Sequence, residues 1–194
     1  MRLIFATQNN HKRDEVQAIL GDAIEIISLK ELNFSEELPE THVTLEENAL
    51  EKAHFVYKKF GLDCFSEDAG LEIEALNGEP GVFSARYAGA GRSSKDNINL
   101  VLEKMSGIQN RNASFRAVIC LILKSNPYYF TGIVKGTITK QERGVTGFGY
   151  DPVFLPEGFS KTFAEMTPMK KNAISHRRMA IEAMSRFLSD IQRR

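Results

Sequence analysis

From Thr44 to Ser66 the chain spells out a helix and then a strand, both with marked ends, and this succession restricts the fold more than any other stretch. Thr44-Leu45-Glu46-Glu47 has the form of a capping box, which serves the N–H groups left over at a helix start. Leu45, Ala49, Ala53, Val56 and Phe60 then share one face at helical spacing, and Gly61 supplies the stop. Asp63 to Ser66 follows as a short apolar strand that runs into Glu67-Asp68-Ala69-Gly70. Any fold for this chain must accept that helix and that strand in direct succession.

The pattern repeats on both sides. Leu3 to Ala6 is short, apolar and β-leaning, Thr7 to Lys12 is a polar turn rich in capping residues, and Val16, Ile19 and Leu20 recur at helical spacing. Such a unit points the free N–H groups of the helix start into the polar loop. A strand over Ile24 to Ser28 is expected next, then a mixed acidic stretch, 29–43, as loop or short helix. Leu71 to Leu76 alternates like a half-exposed strand. The glycine-rich passage from Asn77 to Arg92 is long for an irregular segment, which points to a functional reason. Ser94 to Met105 reads as a helix. Ala113 to Leu123 and Tyr128 to Thr139 read as an antiparallel hairpin turning at Ser125-Asn126-Pro127. A glycine-punctuated loop, Thr146 to Pro152, feeds a strand at Val153 to Leu155, and the tail from Ser175 is a helix with Ile181, Met184, Leu188 and Ile191 on its core face.

Composition excludes several classes. With 194 residues, 42% hydrophobic and 26% charged, the chain suits one globular domain over 1–194. Lysine plus arginine and aspartate plus glutamate stand at 25 each, so no summed field favours a nucleic acid partner. Cys64 and Cys120 sit apart in apolar runs and read as two buried thiols in a reducing compartment. The apolar run at the N-terminus is too short for a signal peptide and nothing approaches a membrane span, which makes a cytoplasmic protein the expectation.

Five places carry candidate chemistry. Glu67 and Asp68 are expected where the strand runs out into a glycine turn, a setting that suits magnesium, which takes one or two carboxylates and leaves other positions to water and phosphate. Neighbours on a strand face opposite ways, so one of the two should dominate; an exposed acidic turn is the plain alternative. Thr7, Asn9 and Lys12 with the helix N–H groups could cradle a polyphosphate, or simply cap the helix. Glu47 can complete the capping box or ligate a metal, and local sequence favours the cap. Lys52 is a phosphate contact or a solvated lysine. The Phe148-Gly149-Tyr150-Asp151 loop offers aromatic faces for a base and a carboxylate for its edge, or a hydrophobic turn anchored in the core. Lys171, His176 and Arg177 put donors near the start of the last helix, where positive charge opposes the dipole; a ligand with oxygen acceptors, or a solvated basic cluster, would account for them.

Taken in order, Thr7-Gln8-Asn9-Asn10-His11-Lys12, Glu47-Asn48-Ala49 with Lys52-Ala53, Glu67-Asp68-Ala69-Gly70-Leu71, Pro80 to Tyr87, Gly147 to Pro152 and Ile174-Ser175-His176-Arg177 resemble the inosine triphosphate pyrophosphatase family over nearly the whole chain. The resemblance implies an α/β fold with a long curved mixed β-sheet flanked by helices, two lobes and a central nucleotide cleft. It also implies a homodimer, a nucleotide substrate and Mg2+ as cofactor. By the same resemblance Asp68 is the general base and, with Glu47, the metal site. Thr7, Gln8, Asn9, Asn10, His11, Lys12 and Lys52 surround the triphosphate, and Phe148, Gly149, Tyr150, Asp151, Lys171, His176 and Arg177 form the base pocket. Family members commonly carry a serine where this chain has Ala69, which removes a hydroxyl that can contact substrate.

The activity so implied is hydrolysis of ITP, dITP and XTP to the monophosphate and pyrophosphate. Hypoxanthine and xanthine present a C6 oxygen that can accept from Arg177 or a backbone N–H, whereas adenine presents an amino group there. The alternatives are a pyrophosphatase for other modified nucleotides and a nucleotide-sensing module without turnover.

Overall fold

The computed structural model describes residues 1–21 and 24–193. Six strands form one mixed sheet in the order β2-β1-β3-β4-β5-β6. They are β1 (Arg2–Phe5), β2 (Glu25–Ser28), β3 (Cys64–Ile73), β4 (Asn112–Leu123), β5 (Asn126–Ile138) and β6 (Phe154–Pro156). The helices are α1 (Asn10–Leu20), α2 (Leu45–Phe60), α3 (Ser94–Lys104), α4 (Pro168–Ile174) and α5 (His176–Gln192). β1 runs parallel to β2, with Leu3 beside Ile26, and parallel to β3, with Phe5 beside Phe65, while β6 returns antiparallel to β5. Parallel neighbours need crossovers, and α1 and α2 supply them.

Two compact units divide the chain. The first comprises Met1–Asp68, Ala117–Gly132 and Arg177–Arg194. Leu3, Ile4 and Phe5 of β1 are buried there, as are Leu45, Ala49, Ala53 and Val56 along the predicted face of α2. Phe5 stacks on Phe65 at 4.5 Å, a contact the parallel register of β1 and β3 sets up. The ends of α2 are those read in the sequence: the Thr44 hydroxyl accepts from Glu47 N–H, and Gly61 closes the helix with φ +66. Both thiols are buried, and burial pushes Cys64 and Cys120 up to about 12.

The second unit comprises Ala69–Arg116 and Ile133–His176. Its core joins Leu71 and Ile73 of β3, Ile98 and Val101 of α3, and Phe115, Ile138, Phe154 and Phe163. Alternation on β3 explains which side chains enter, since Leu71 and Ile73 share one face of the strand.

Three expectations need correction. The acidic pair does not end a strand, because β3 continues from Cys64 through Ile73 with Gly70 inside it. Gly70 gives close approach rather than a turn: a Cβ there would run into the Gly81 carbonyl, and the Ser84 hydroxyl accepts from Leu71 N–H at 2.9 Å. Beyond Ile73 the expected strand becomes a single 3-10 turn, Glu74–Leu76. The hairpin turns at Lys124 and Ser125, both at positive φ, and Asn126 and Pro127 already belong to β5. A two-residue turn of that hand matches strand twist, which proline at the start of a strand does not disturb. Finally, α4 precedes the tail helix; its signal was present as Thr167 at the cap and Pro168 at the first position.

Replacing Gly70 by Ala should destabilise the fold by about 1–3 kcal/mol through overpacking against backbone that cannot yield, measured by urea unfolding. The two thiols should resist a thiol reagent at pH 8 in the folded protein, because a raised pKa leaves too little thiolate, and both should react once the chain is unfolded.

Candidate active site

In the first unit, the C-terminal end of β1 leads into the Thr7–Lys12 loop and the start of α1. Asn9 is the cap of α1, its side chain accepting from Lys12 N–H at 3.2 Å, and the Thr7 hydroxyl accepts from Asn9 N–H at 3.2 Å. Gln8 donates to the Glu36 carbonyl. Capping and phosphate binding are compatible here, since the Asn9 side chain takes one N–H of the helix start and the loop remains exposed. Thr7, Asn9, Asn10, Arg13, Ser28 and Lys30 border a hollow of about 430 Å³.

Buried charge gathers on the middle of β3. Asp68 is 10% exposed in its side chain, and Lys52 of α2, 4% exposed, donates to Asp68 Oδ1 at 2.8 Å and to Glu40 Oε1 at 2.7 Å. Burial acts to lower the Lys52 pKa, but the carboxylates of Asp68 and Glu40 outweigh it and hold the ammonium above its ordinary value. Among the described residues Asp68 Oδ2 meets only a long contact, 3.4 Å, from Asn48, whose amide is tied back to the His42 backbone. Glu67 faces other partners, as alternation on a strand requires. Arg177 reaches both of its oxygens at 2.9–3.2 Å and also donates to Glu15, while Lys12 stands 3.8 Å away.

The second unit holds a separate set on the loop from Gly147 to Asp151 and on α4. Asp151 Oδ2 accepts from Phe148 N–H at 2.8 Å and from Lys171 Nζ at 2.8 Å. Lys171 Nζ also lies 4.6 Å from the centre of the Phe148 ring, a cation–π contact. Gly147, at φ +80, leaves the space that Asp151 fills, for a Cβ there would strike the carboxylate. Tyr150 is buried and its hydroxyl donates to the Ser84 carbonyl at 2.9 Å, so it anchors the loop from inside. His176 is buried and stacks on Phe115 at 4.9 Å.

The structure therefore redistributes several predicted residues. Phe148, Asp151 and Lys171 come together as expected, and Lys52 is found on Asp68. Glu47 is exposed at the start of α2, where its carboxylate accepts from the Thr44 hydroxyl at 2.7 Å. Glu40 takes the place beside Lys52, a residue that sequence reasoning missed. It lies in the aperiodic stretch 29–43, where the only signal was an acidic loop long enough to have a purpose. Arg177 is the larger surprise. Its three nitrogens donate to Glu67 and Glu15, so the acceptors that offset a cation at a helix start are carboxylates of the protein itself. Among the described residues no group of three or more His, Cys, Asp and Glu stands ready to hold a metal ion.

A mixed sheet whose parallel strands lead to buried lysine–carboxylate pairs beside an open helix start defines an α/β protein of the phosphate-handling kind. Solved structures agree: a HAM1 protein from Coxiella burnetii superposes with a TM-score of 0.91 at 39% identity, covering 98% of this chain and 99% of that one. The chain belongs to the Ham1 family, whose model matches residues 3–187. Among its relatives, the dITP/XTP pyrophosphatase of Porphyromonas gingivalis is 49% identical over 96% of this chain and 97% of its own length. That of Flavobacterium johnsoniae is 48% identical over 97% of this chain and 98% of its own.

Asp151 is the acceptor that fixes both its loop and Lys171. Asp151→Ala should cost about 3–5 kcal/mol by stranding a buried ammonium, read as a lower thermal midpoint.

Proposed function

We propose that this chain hydrolyses non-canonical purine nucleoside triphosphates, dITP, ITP and XTP, to the monophosphate and pyrophosphate. The observation that carries the reading is the state of Asp68: one oxygen is bonded to Lys52, and the other has no closer partner than the 3.4 Å amide of Asn48. A buried carboxylate held at one oxygen and open at the other suits general-base work on a water. The near full-length relatives named dITP/XTP pyrophosphatase support the substrate class.

The donor set also fits a magnesium ion. Asp68, through the Oδ2 that Lys52 leaves unbonded, and Glu47, exposed at the start of α2, are the carboxylates that would hold it, and magnesium needs one or two such ligands with the rest of its shell from water and phosphate. Magnesium bound there supplies charge neutralisation on the phosphates and the leaving group. Asp68 takes the proton from the water that attacks the α-phosphorus, Lys12 lends its charge to phosphate oxygens, and the Thr7–Lys12 loop orients the triphosphate. Lys52 holds Asp68 in place through the 2.8 Å bond to Oδ1.

Phe148 stacks on the purine, and Lys171 and His176 face its oxygens. With Arg177 committed to Glu67 and Glu15, a backbone N–H reads the C6 oxygen, so adenine leaves a donor unpaired. Ala69 makes no hydroxyl contact. The reading further assigns one catalytic domain over 1–194, as length and composition suggest, a homodimer, as the resemblance of the motifs implies, and a cytoplasmic location, which suits two free thiols. Among the described residues no helix is long and apolar enough to cross a membrane.

A pyrophosphate-release assay with magnesium should show dITP and XTP consumed at least about a hundredfold more efficiently than ATP. Asp68→Asn, which keeps shape and hydrogen bonding, should lower kcat about a thousandfold without loss of folding. Wild-type rates in that variant would remove Asp68 from the mechanism.

A further inference from the structure

The ion pairs that bury Glu67 close into a ring. Lys12 and Glu15 lie three residues apart on α1, which puts both on one face of that helix. Lys12 Nζ lies 3.8 Å from Glu67 on β3, Arg177 of α5 grips both Glu67 oxygens, and Arg177 Nη1 donates to Glu15, which returns the path to α1. Cation and anion alternate through four residues from three elements. The side chains of Glu67 and Arg177 are 0% and 2% exposed, so water does little to screen the ring.

Its links are unequal. Arg177 hydrogen-bonds Glu67 at 2.9–3.2 Å, whereas Lys12 at 3.8 Å is beyond hydrogen-bond reach. Lys12 Nζ makes no hydrogen bond among the described residues, although its side chain is only 17% exposed. Lys52 makes two, to Asp68 and Glu40. An ammonium so withdrawn from water, with its donors unspent, calls for an oxygen acceptor from outside the chain. Burial lowers the Lys12 pKa, Glu67 and Asp68 act to raise it, and Lys52 and Arg177 act to lower it.

Arg177 is what prevents Glu67 from closing on Lys12 and consuming those donors. Glu15 in turn decides how much of the Arg177 charge Glu67 receives. With Glu15 ionised, Arg177 is shared between two carboxylates, and Glu67 keeps negative potential directed at Lys12. With position 15 neutral, the ring has one net positive charge, Arg177 settles wholly on Glu67, and Lys12 is repelled toward solvent.

We propose that Glu15 is a positioning residue for phosphate binding: by sharing Arg177 with Glu67 it holds Lys12 in a loose pair whose donors stay open to a phosphate oxygen. Glu15 itself touches no substrate. The inference rests on the phosphate role given to Lys12 above and extends it to a residue outside every motif of the sequence.

Calorimetric titration with inorganic tripolyphosphate and magnesium tests it without turnover. Glu15→Gln, an isosteric change that removes only charge, should weaken tripolyphosphate about tenfold, as loss of one charge-assisted bond does, and raise KM for ITP with kcat little changed. Glu15→Asp, which retains the charge at shorter reach, should recover most of that affinity, leaving a loss of about threefold. Should the Gln variant not fold, the Asp variant carries the test alone. Unchanged or tighter binding in the folded variants, a fall in kcat at constant KM, or a lower thermal midpoint with wild-type affinity would each overturn the role and leave the ring as a structural brace. If the wild type releases no pyrophosphate from ITP yet binds tripolyphosphate, the hydrolytic reading fails while the binding comparison still decides the role of Glu15.

Discussion

Two carboxylates taken out of water side by side, Glu67 and Asp68 in the middle of β3, are the constraint around which the first unit is arranged. An ion moved from water to a protein interior costs several kcal/mol unless it is paired and hydrogen-bonded. The strand cannot turn them outward, because residues on both sides of the pair are buried, from Cys64 and Phe65 to Leu71 and Ile73. Compensation must therefore come from elsewhere in the chain, and it comes from three helices: Lys12 on α1, Lys52 on α2 and Arg177 on α5. Strand alternation then separates the two acids, leaving Glu67 with Arg177 and Asp68 with Lys52.

That separation gives the carboxylates different work. Glu67 is saturated by a guanidinium at hydrogen-bond distance, and a carboxylate so engaged holds structure. Among the described residues Asp68 is bonded closely at one oxygen only, which leaves the other open to a water. The second unit uses the same pairing to another end. Lys171 and Asp151 bind each other, and through Phe148 N–H the carboxylate fixes a loop whose aromatic ring the lysine covers. Gly147 belongs to that device because any side chain there would displace the carboxylate.

Much of the secondary structure was legible because it depends on neighbours a few residues apart. The α2 helix, its Thr44 cap and its Gly61 stop follow from local hydrogen bonding and periodicity, and the structure repeats them. Local signals misled where a distant backbone decided. Gly70 read as a turn, yet the Gly81 carbonyl, not a bend, demands a missing Cβ there. Pro127 drew the hairpin turn two residues too far, because Lys124 and Ser125 do not advertise positive φ.

The site divides in the same way. The sequence by itself determined which residue types were present and in what order, so that the family, the candidate residues Asp68 and Lys52 and the Phe148 loop could all be named before any fold was seen. It also offered two uses for Glu47, whose carboxylate accepts from the Thr44 hydroxyl. Only the tertiary structure decided that Glu40 shares Lys52 with Asp68, and that Arg177 belongs to Glu67 and Glu15. The physical reason is range. A cap or an amphipathic face is written within one turn of chain, whereas an ion pair between residues 67 and 177 exists only once folding has removed both from water.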